Sequence, residues 1–490
     1  TFKSTSQPLR LLPGGIILNP ILILFVMLTV IIILFVIGYL IIALEHPLKV
    51  DKTATALVLG MLMWVLYAIG AEHIVPVVSG AKFQDYLSEN PSLLGQGTAD
   101  AALQYIINVD IVEHLGDIAQ TVLFLLGAMT IVELIDVHEG FSVITNCINT
   151  RNKRKLLWVM VWLTFFLSAV LDNLTTTIVM LTLLRKFVPH KAERWVYAGM
   201  IVIAANSGGA WSPIGDVTTI MIWAKGNVTV TALIKFVLLP SIVSVLIPAM
   251  VISRKLKGQL PPPTRTPEVR GDITPRERKV IFYLGVGGLL FVPIFKSITH
   301  LPPFLGILLV LGALWVFTEC FYNGKMLTHA KEYRIPQVIS RVDMPSILFF
   351  LGILMAVAVL QATGILSTLA TFLDSHLQNV YFIGSLLGAL SAIVDNVPMV
   401  AAAMGMYPVA DPAATGYAAN FVVDGHFWGL LSYCAGVGGS MLIIGSAAGV
   451  ITMGIEKINF GWYLKRFSGL AALGYVAGIV VYVFEHWLFG

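Results

Sequence analysis

Two short stretches of the chain, Ser168-Ala-Val-Leu-Asp172-Asn173-Leu174 and Ser391-Ala-Ile-Val-Asp395-Asn396-Val397, share one pattern. In each, an acid and an amide follow a serine and a run of small or apolar residues, and apolar residues continue on both sides. A motif that recurs in this way predicts an internal repeat.

Two more blocks extend the repeat on either side of this motif. Upstream, Leu123-Phe-Leu-Leu-Gly127 matches Leu348-Phe-Phe-Leu-Gly352. Downstream, Gly208-Gly-Ala followed by Gly215-Asp216 matches Gly438-Gly-Ser followed by Gly445-Ser446. Three blocks in the same order predict two structurally related halves.

The composition indicates that these halves lie in a membrane. Of 490 residues, 57% are hydrophobic and only 12% are charged, whereas a soluble domain carries about 25% charged residues. The net charge of +4 is spread over short connectors, and the three cysteines lack metal-ligand spacing. We therefore exclude a soluble enzyme, a secreted disulfide scaffold and a nucleic-acid-binding protein, and predict an integral membrane protein whose partner is membrane lipid and not nucleic acid.

Several apolar runs are long enough to cross a bilayer, which takes about 20 residues. They are residues 20–44, 54–77, 118–137, 228–252, 280–297, 303–321, 345–362 and 467–488. Lys and Arg mark the cytoplasmic side of such proteins. The acidic connector 80–117 and the stretch 374–426, which has no Lys or Arg, are therefore predicted outside, and both termini are predicted periplasmic.

Two further segments are predicted to form re-entrant hairpins. Segment 155–186 has basic ends, and its arms, 156–171 and 174–184, are too short for a core about 30 Å thick. It is predicted to enter from the inside and turn near residues 172–173. Segment 379–407 has non-basic flanks and is predicted to enter from the outside. Opposite directions of entry indicate inverted-topology repeats, which are typical of secondary transporters.

The predicted fold is an all-α polytopic membrane protein with two inverted-topology repeats, each containing a re-entrant helical hairpin and a broken transmembrane helix. The predicted organisation is residues 1–117, N-terminal scaffold spans and external connector; 118–254, first repeat, with hairpin 155–186 and broken helix 195–225; 255–277, cytoplasmic linker; 278–342, further scaffold spans; 343–455, second repeat, with hairpin 379–407 and broken helix 427–455; and 456–490, C-terminal span.

Asp172 and Asp395 are the first candidates for chemistry. A charged side chain at a helix centre costs about 2.5–3.5 kcal/mol on insertion scales, so such acids are seldom without a role. The alternative is that each acid caps the second arm of its hairpin, where backbone N–H groups lack partners. The adjacent Asn173 and Asn396 are able to cap without a charge, which favours a functional role for the acids.

The downstream block 205–219 reads as a break in an apolar helix. Its glycines and Pro213 free backbone carbonyls that need other partners inside a membrane. Hard cations prefer oxygen ligands, and the block offers Asn206, Ser207, Asp216, Thr218 and Thr219. Close packing of small residues is the alternative, but it leaves Asp216 unexplained. The counterpart in the second half offers Ser440 and Ser446 and no acid.

Three polar residues, Glu133, Asp136 and His138, stand at the predicted inner end of span 118–137. They fit a proton relay and an ordinary position at the membrane interface equally well.

The sign of the charges predicts the class of cargo. Carboxylates occupy the hairpin tips and the first broken helix, and the core of neither repeat contains Lys or Arg, so the vacancy suits a cation. Protons and a metal ion then compete for the same oxygens. Because an empty charged site is costly to move across a bilayer, each crossing has to carry one or the other, and this competition predicts exchange.

The hairpin 168–177, the loop 206–219 and Glu45-His46-Pro47 after the first span resemble the NhaD-type sodium/proton antiporters of the ion transporter superfamily. The resemblance covers the chain from residue 20 onward, including Gly461-Trp-Tyr-Leu-Lys465. It implies exchange of external protons for internal Na⁺ or Li⁺ in a bacterial inner membrane, by a homodimer that works elevator-fashion. The ions are cargo, and no cofactor is expected.

The ion site predicted from the residues and the resemblance together consists of Asp172, Asn173, Thr175, Asn206, Ser207, Asp216, Thr218, Thr219, Asp395, Asn396, Ser440 and Ser446. Na⁺ is expected on Asp172, Asn173, Asp395 and Asn396.

Two other functions stay open on the sequence. A sodium-coupled symporter of a dicarboxylate or an oxyanion would resemble this architecture, but such carriers have Ser-Asn-Thr at the hairpin tips, where this chain has Asp172-Asn-Leu and Asp395-Asn-Val. An intramembrane aspartyl protease would use two embedded acids as a dyad. Its Gly-x-Gly-Asp motif is replaced here by Pro213-Ile-Gly before Asp216.

Overall fold

The computed structural model describes residues 20–95, 97–145, 148, 150–261, 274–322 and 334–489, most of which are helical. Among these residues the β-type pairing is limited to an isolated bridge between Asn152 and Gln259. Residues 262–273 of the predicted linker 255–277 lie outside the described residues.

The helices of the first half begin and end as follows: α1 (Pro20–Ala43), α2 (Glu45–Leu48), α3 (Lys52–Ile69), α4 (Ala71–Val78), α5 (Gly80–Glu89), α6 (Thr98–Tyr105), α7 (Ile111–Val137), α8 (Ser142–Thr145), α9 (Lys153–Leu171), α10 (Asn173–Phe187), α11 (Lys191–Gly209), α12 (Val217–Ala224) and α13 (Val230–Lys255). A 3-10 turn forms at Pro91–Gly95, and a π-helical turn, Ile106–Asp110, joins α6 to α7.

The helices of the second half are α14 (Pro275–Thr299), α15 (Pro303–Tyr322), α16 (Ile335–Ile339), α17 (Met344–Ala362), α18 (Ile365–Leu377), α19 (Val380–Leu390), α20 (Asn396–Met406), α21 (His426–Gly438), α22 (Ala447–Glu456), α23 (Phe460–Tyr463) and α24 (Gly469–Phe489). A 3-10 turn forms at Gly416–Phe421, and a π-helical turn, Leu464–Ser468, precedes α24.

Nine helical stretches in the described part of the chain are long and apolar enough to cross a membrane, which confirms the predicted polytopic helical membrane protein. They are Ile21–Ala43, Lys52–Ile69, Thr98–Val137, Lys153–Leu171, Val230–Lys255, Pro275–Thr299, Pro303–Tyr322, Met344–Ala362 and Phe460–Leu488.

The predicted external connector 80–117 is more helical than expected. The candidate span Thr98–Val137 is continuous and begins well before residue 118. Ala102, Tyr105 and Ile106 recur at helical spacing and are buried, so they give the connector an apolar face that favours a helix. In the preceding span, Gly70 ends α3, and the predicted run 54–77 is divided between α3 and α4.

The first arm of hairpin 155–186 is longer than the sequence suggested. Asn152 caps α9 by accepting a hydrogen bond from the Lys155 backbone N–H at 3.1 Å. The first turn of the helix therefore includes the basic residues at its start, and α9 has 19 residues. At that length it qualifies as a candidate span, so the expected length of this arm was wrong.

The chain forms two compact units. One comprises the described residues of Thr1–Gly116 and Gly352–Thr368, and the other comprises the described residues of Asp117–Leu351 and Leu369–Gly490. Within the first unit, the Tyr67 hydroxyl donates to Oδ2 of Asp110 at 2.6 Å. The predicted boundaries between scaffold and repeats stay a prediction.

Helix breaks collect in the second unit. α9 and α10 meet at Asp172, and α19 and α20 are separated by residues 391–395. α11 and α12 are interrupted at residues 210–216, and α21 and α22 at residues 439–446. These four breaks place the polar residues of the candidate site.

Candidate cation site

Asp216 lies at the break between α11 and α12. Its Oδ1 accepts a hydrogen bond from the Thr218 backbone N–H at 3.2 Å. The Thr219 hydroxyl donates to the Asp216 carbonyl at 2.8 Å, and the Asp216 N–H donates back to Thr219 Oγ1 at 3.2 Å. Asp216 is only 1% exposed. A buried carboxylate is thus held at a helix N-terminus, where the dipole favours an anion.

The amides of both helix-pair tips meet on this carboxylate. We call Asp172-Asn173 the first tip and Asp395-Asn396 the second tip. Asn173 Nδ2 donates to Asp216 Oδ2 at 2.7 Å, and Asn396 Nδ2 donates to the same oxygen at 3.0 Å. Both amides are buried. The two tips therefore converge on one carboxylate oxygen.

Asn206 extends the cluster toward the second interrupted helix. Its Oδ1 accepts from Asn173 Nδ2 at 3.2 Å, and its Nδ2 donates to Ser440 Oγ at 2.9 Å and to Ser446 Oγ at 2.8 Å. Asn206 and both serines are fully buried. A connected buried polar network of this kind fixes the orientation of each of its members.

The two tip acids, Asp172 and Asp395, both cap the helix that follows them. Asp172 accepts from the Thr175 backbone N–H at 2.7 Å and from its hydroxyl at 3.0 Å, and Asp395 accepts from the Val397 N–H at 3.3 Å. Both acids are half-buried and interact electrostatically with Asp216. Asp172 has a φ of 76°, a region that few residues other than glycine adopt. The acids thus combine capping with a position beside the central carboxylate.

Two hydroxyls of the predicted set differ in their surroundings. The Ser244 hydroxyl of α13 donates to Ser207 Oγ at 2.9 Å, so Ser207 faces α13 and the amides of the cluster do not hold it. Thr218 Oγ1 is buried beside the Asp216 carboxylate, so it is a second oxygen at the start of α12.

Glu133, Asp136 and His138 lie at the C-terminal end of α7. Glu133 and Asp136 interact electrostatically with Arg341. His138 Nδ1 donates to the Leu134 carbonyl at 2.7 Å. Burial lowers the pKa of His138 to about 4, so this imidazole is neutral at physiological pH.

Lys296 was not predicted as a site residue, and it lies inside the predicted apolar run 280–297. Its Nζ donates to the carbonyls of Trp223 and Ala224, the second at 3.4 Å, and lies 4.5 Å from the centroid of the Trp223 ring. It therefore supports the C-terminal end of α12, whose N-terminal end carries Asp216. A lysine within an apolar run was the one available signal.

The two halves repeat hydrogen bonds around the breaks. Ser168 Oγ donates to the Ala205 carbonyl at 2.6 Å, and Ser391 Oγ donates to the Ala435 carbonyl at 3.0 Å. Each serine lies in the duplicated motif, and each acceptor lies just before the glycine pair of the matching block.

Close backbone contacts are repeated as well. A Cβ at Gly208 would collide with the backbone carbonyl of Phe165, and a Cβ at Gly438 would collide with that of Gly388. Only glycine allows each interrupted helix to lie this close to its helix pair.

A polytopic helical membrane protein in which broken helices gather a buried carboxylate, amides and hydroxyls has the features of a secondary transporter. A family model described as a citrate transporter matches residues 39–422. Sodium/proton antiporter 2 of Arabidopsis thaliana is 43% identical over 457 residues, which cover 92% of this chain and 98% of the relative. The Na(+)/H(+) antiporter NhaD of Vibrio cholerae is 30% identical over 480 residues, which cover 92% and 90%. That of Alkalimonas amylolytica is 30% identical over 484 residues, which cover 92% and 89%.

The chain belongs to the NhaD-type sodium/proton antiporters, within the wider family that the citrate transporter model describes. This membership confirms the predicted class, a secondary transporter and not an enzyme.

Proposed function

We propose that the protein exchanges Na⁺ or Li⁺ for H⁺ by alternating access and so controls sodium and pH in its compartment. The observation that carries this proposal is the buried carboxylate of Asp216, held by Asn173 and Asn396 from the two tips. Relatives named sodium/proton antiporters support the choice of ions.

The chemistry follows from the cost of a buried charge. An ionised carboxylate without a counter-charge is expensive in a low-dielectric interior. Either a proton or a cation on Asp216 removes that cost, and both need the same oxygens. The protein therefore crosses between its two access states with one or the other bound, and this rule couples the two fluxes.

The proposed cation ligands come from both tips and from the start of α12. Na⁺ would lie between Asp216 and the tip acids Asp172 and Asp395, with Thr218 Oγ1 as a further oxygen. A half-turn of the Asn173 or Asn396 amide replaces its donor by Oδ1, which turns a partner of the carboxylate into a ligand of the cation. The transported ions are the only small molecules the proposal requires.

Everted membrane vesicles test the proposal. After respiration has acidified the interior, addition of NaCl or LiCl should dissipate the pH gradient in vesicles that contain the protein and not in vesicles that lack it. No response to either salt between pH 7 and 10 would contradict the proposal.

The proposed architecture is a pair of inverted-topology repeats with re-entrant hairpins. The repeated serine and glycine contacts support two related halves. So do Asp216 and Ser446, which hold matching positions before α12 and α22, with φ and ψ of −150° and 151° for one and −148° and 155° for the other. We further propose that both hairpins turn inside the membrane and that transport is elevator-type.

For the proton path we propose Glu133 and Asp136, which are acids near the end of α7. The low pKa of His138 favours a structural role for that third residue of the predicted relay. Exchange that is unchanged by neutralising both acids would contradict this path.

A sodium-coupled symporter of a dicarboxylate is the second candidate, because the matching family model is described as a citrate transporter. Sodium-dependent uptake of labelled citrate without proton movement would favour it. The acids at both tips favour the antiporter, since they repel a carboxylate substrate.

Placement and assembly are further proposals. We place the protein in a bacterial inner membrane, with both termini periplasmic, surrounded by lipid and assembled as a homodimer. Accessibility of cysteines introduced near residue 20 and at residue 488 tests the orientation. The mass of the detergent-solubilised protein tests the dimer.

A further inference from the structure

A buried ion network lies far from the cation site in the second unit. Glu456, the last residue of α22, receives Arg185 Nε on Oε1 at 2.7 Å and Arg194 Nε on Oε2 at 2.6 Å. The Glu456 side chain is 0% exposed, whereas those of Arg194 and Arg185 are 16% and 49% exposed. One buried carboxylate thus holds two guanidinium groups.

Further hydrogen bonds tie the same helix ends together. Arg185 Nη2 donates to the Ile455 carbonyl at 2.6 Å, and Trp195 Nε1 donates to the Glu456 carbonyl at 3.0 Å. Arg194 Nη1 also donates to the Pro189 carbonyl at 3.0 Å, in the connection between α10 and α11. The network therefore joins α22 to the end of α10 and to the start of α11.

The helices in this network begin or break at the cation site. α10 starts with Asn173, which donates to Asp216, and α22 follows Ser446, which accepts from Asn206. Along α22 the distance from Ser446 to Glu456 is about 15 Å. The network fixes the far ends of α10 and α22, and a helix transmits an axial shift at one end to the other.

We propose that Glu456 is a positioning residue for cation binding. It sets the register of α10 against α22 and thereby places Asn173 and Ser446 around Asn206 and Asp216. This inference rests on the proposed sodium/proton exchange. It gives the distant carboxylate of Glu456 the role of aligning ligands that come from both halves of the chain.

A role in setting the register of α10 against α22 explains why the charge of Glu456 is buried, because apolar packing alone does not require a charge there. A buried ion pair is a weak source of stability, because desolvation offsets most of the attraction, but it can specify one arrangement among several similar ones. If α10 and α22 slid past each other by one turn, they would still bury a similar apolar area. Only one register, however, places Glu456 against both Arg185 and Arg194.

The test compares variants of the full-length protein in proteoliposomes. Glu456→Gln removes the charge and keeps the volume. The triple variant R185Q/R194Q/E456Q removes the network without leaving a buried charge unpaired. Glu456→Asp keeps the charge on a shorter side chain. Glu193→Gln is the matched control, since Glu193 pairs with Lys153 at 2.6 Å and joins α9 to α11 without involving α22.

We expect Glu456→Gln and the triple variant to raise the half-saturating Na⁺ concentration about tenfold, as for residues that orient metal ligands. The maximal rate per folded protein should change less, Glu456→Asp should recover part of the affinity, and Glu193→Gln should match the wild type. A purely structural role would lower the yield of folded protein and leave the sodium dependence unchanged.

An unchanged half-saturating concentration in the folded triple variant would overturn the proposal. Loss of folded protein in all three Glu456 variants would do the same, because the network would then be structural only. If the wild type itself shows no sodium-driven proton movement, that result contradicts the proposed sodium/proton exchange and is distinct from a failure of the positioning role of Glu456.

Discussion

Asn396 donates a hydrogen bond to Oδ2 of Asp216 at 3.0 Å, although 180 residues separate them. The bond joins the second tip to the break in the first interrupted helix. Asn173 reaches the same oxygen from the first tip. Any cation that binds Asp216 has to rearrange these two contacts, so the site responds as a unit to its occupant.

The tip acids should be essential beyond their capping role. Asparagine caps a helix about as well as aspartate, so Asp172→Asn and Asp395→Asn should fold normally. Each should abolish sodium-driven proton movement, because a charge beside Asp216 is lost. Exchange is measured in everted vesicles that contain equal amounts of folded protein. If both variants retained exchange, these acids would serve only as helix caps.

The tip amides should determine sodium affinity. Asn173→Ala and Asn396→Ala should each raise the half-saturating Na⁺ concentration about tenfold, since each removes a group that contacts the central carboxylate. Asn379→Ala is the control. The Asn379 side chain caps α19 by accepting from Tyr381 N–H at 2.9 Å, so its loss should cost about 1 kcal/mol of stability and leave the sodium dependence unchanged. Equal sodium dependence in all three variants would contradict the assignment.

The two close glycine contacts should be equally intolerant of a side chain. Gly208→Ala and Gly438→Ala push a Cβ into a backbone carbonyl, so both should lower the thermal unfolding temperature of the purified protein strongly. Gly287→Ala in α14 meets open space and should be neutral or stabilising by up to about 1 kcal/mol. A mild effect at one of the two buried glycines would argue against equivalent packing of the halves.

Acid should destabilise the protein partly through His138. Burial lowers the pKa of His138 to about 4, below its value of about 6.5 in the unfolded chain. The unfolded state therefore binds a proton that the folded state does not. The contribution to stability is full above about pH 6.5 and is lost progressively as the pH falls toward 4, by about 2 kcal/mol at pH 5.

Thermal unfolding in detergent at pH 5 and pH 7.5 checks this prediction. The wild type should lose more stability at pH 5 than His138→Gln does. An equal loss of stability in the wild type and in His138→Gln would show that the acid sensitivity arises from groups other than His138.

The sequence was sufficient for the membrane class, the duplicated motif and the residues of the cluster, because apolar runs and interrupted helices leave strong local patterns. It gave prominence to Asp172 and Asp395, whereas the geometry puts Asp216 at the centre. The contact between Asn396 and Asp216 depends on how two distant segments pack, and no local pattern records that.

The remaining differences also have physical reasons. The start of α9 was missed because Lys153 and its basic neighbours read as a connector, although the cap at Asn152 draws them into the helix. Arg185 and Arg194 belong to the basic residues that the sequence marks only as cytoplasmic, without indicating a partner for either. Their shared partner Glu456 lies more than 260 residues away along the chain. No spacing in the sequence therefore indicates the buried network.

The most direct test of coupled exchange at Asp216 uses the purified protein in proteoliposomes loaded with NaCl and a pH-sensitive dye. On dilution into sodium-free buffer, outward sodium flux through the wild type should acidify the interior, LiCl should act likewise, and Asp216→Asn should abolish the signal while remaining folded. Coupled exchange at Asp216 would be contradicted if the interior pH of wild-type proteoliposomes did not respond to the sodium gradient. It would also be contradicted if the Asp216→Asn variant gave an equal response.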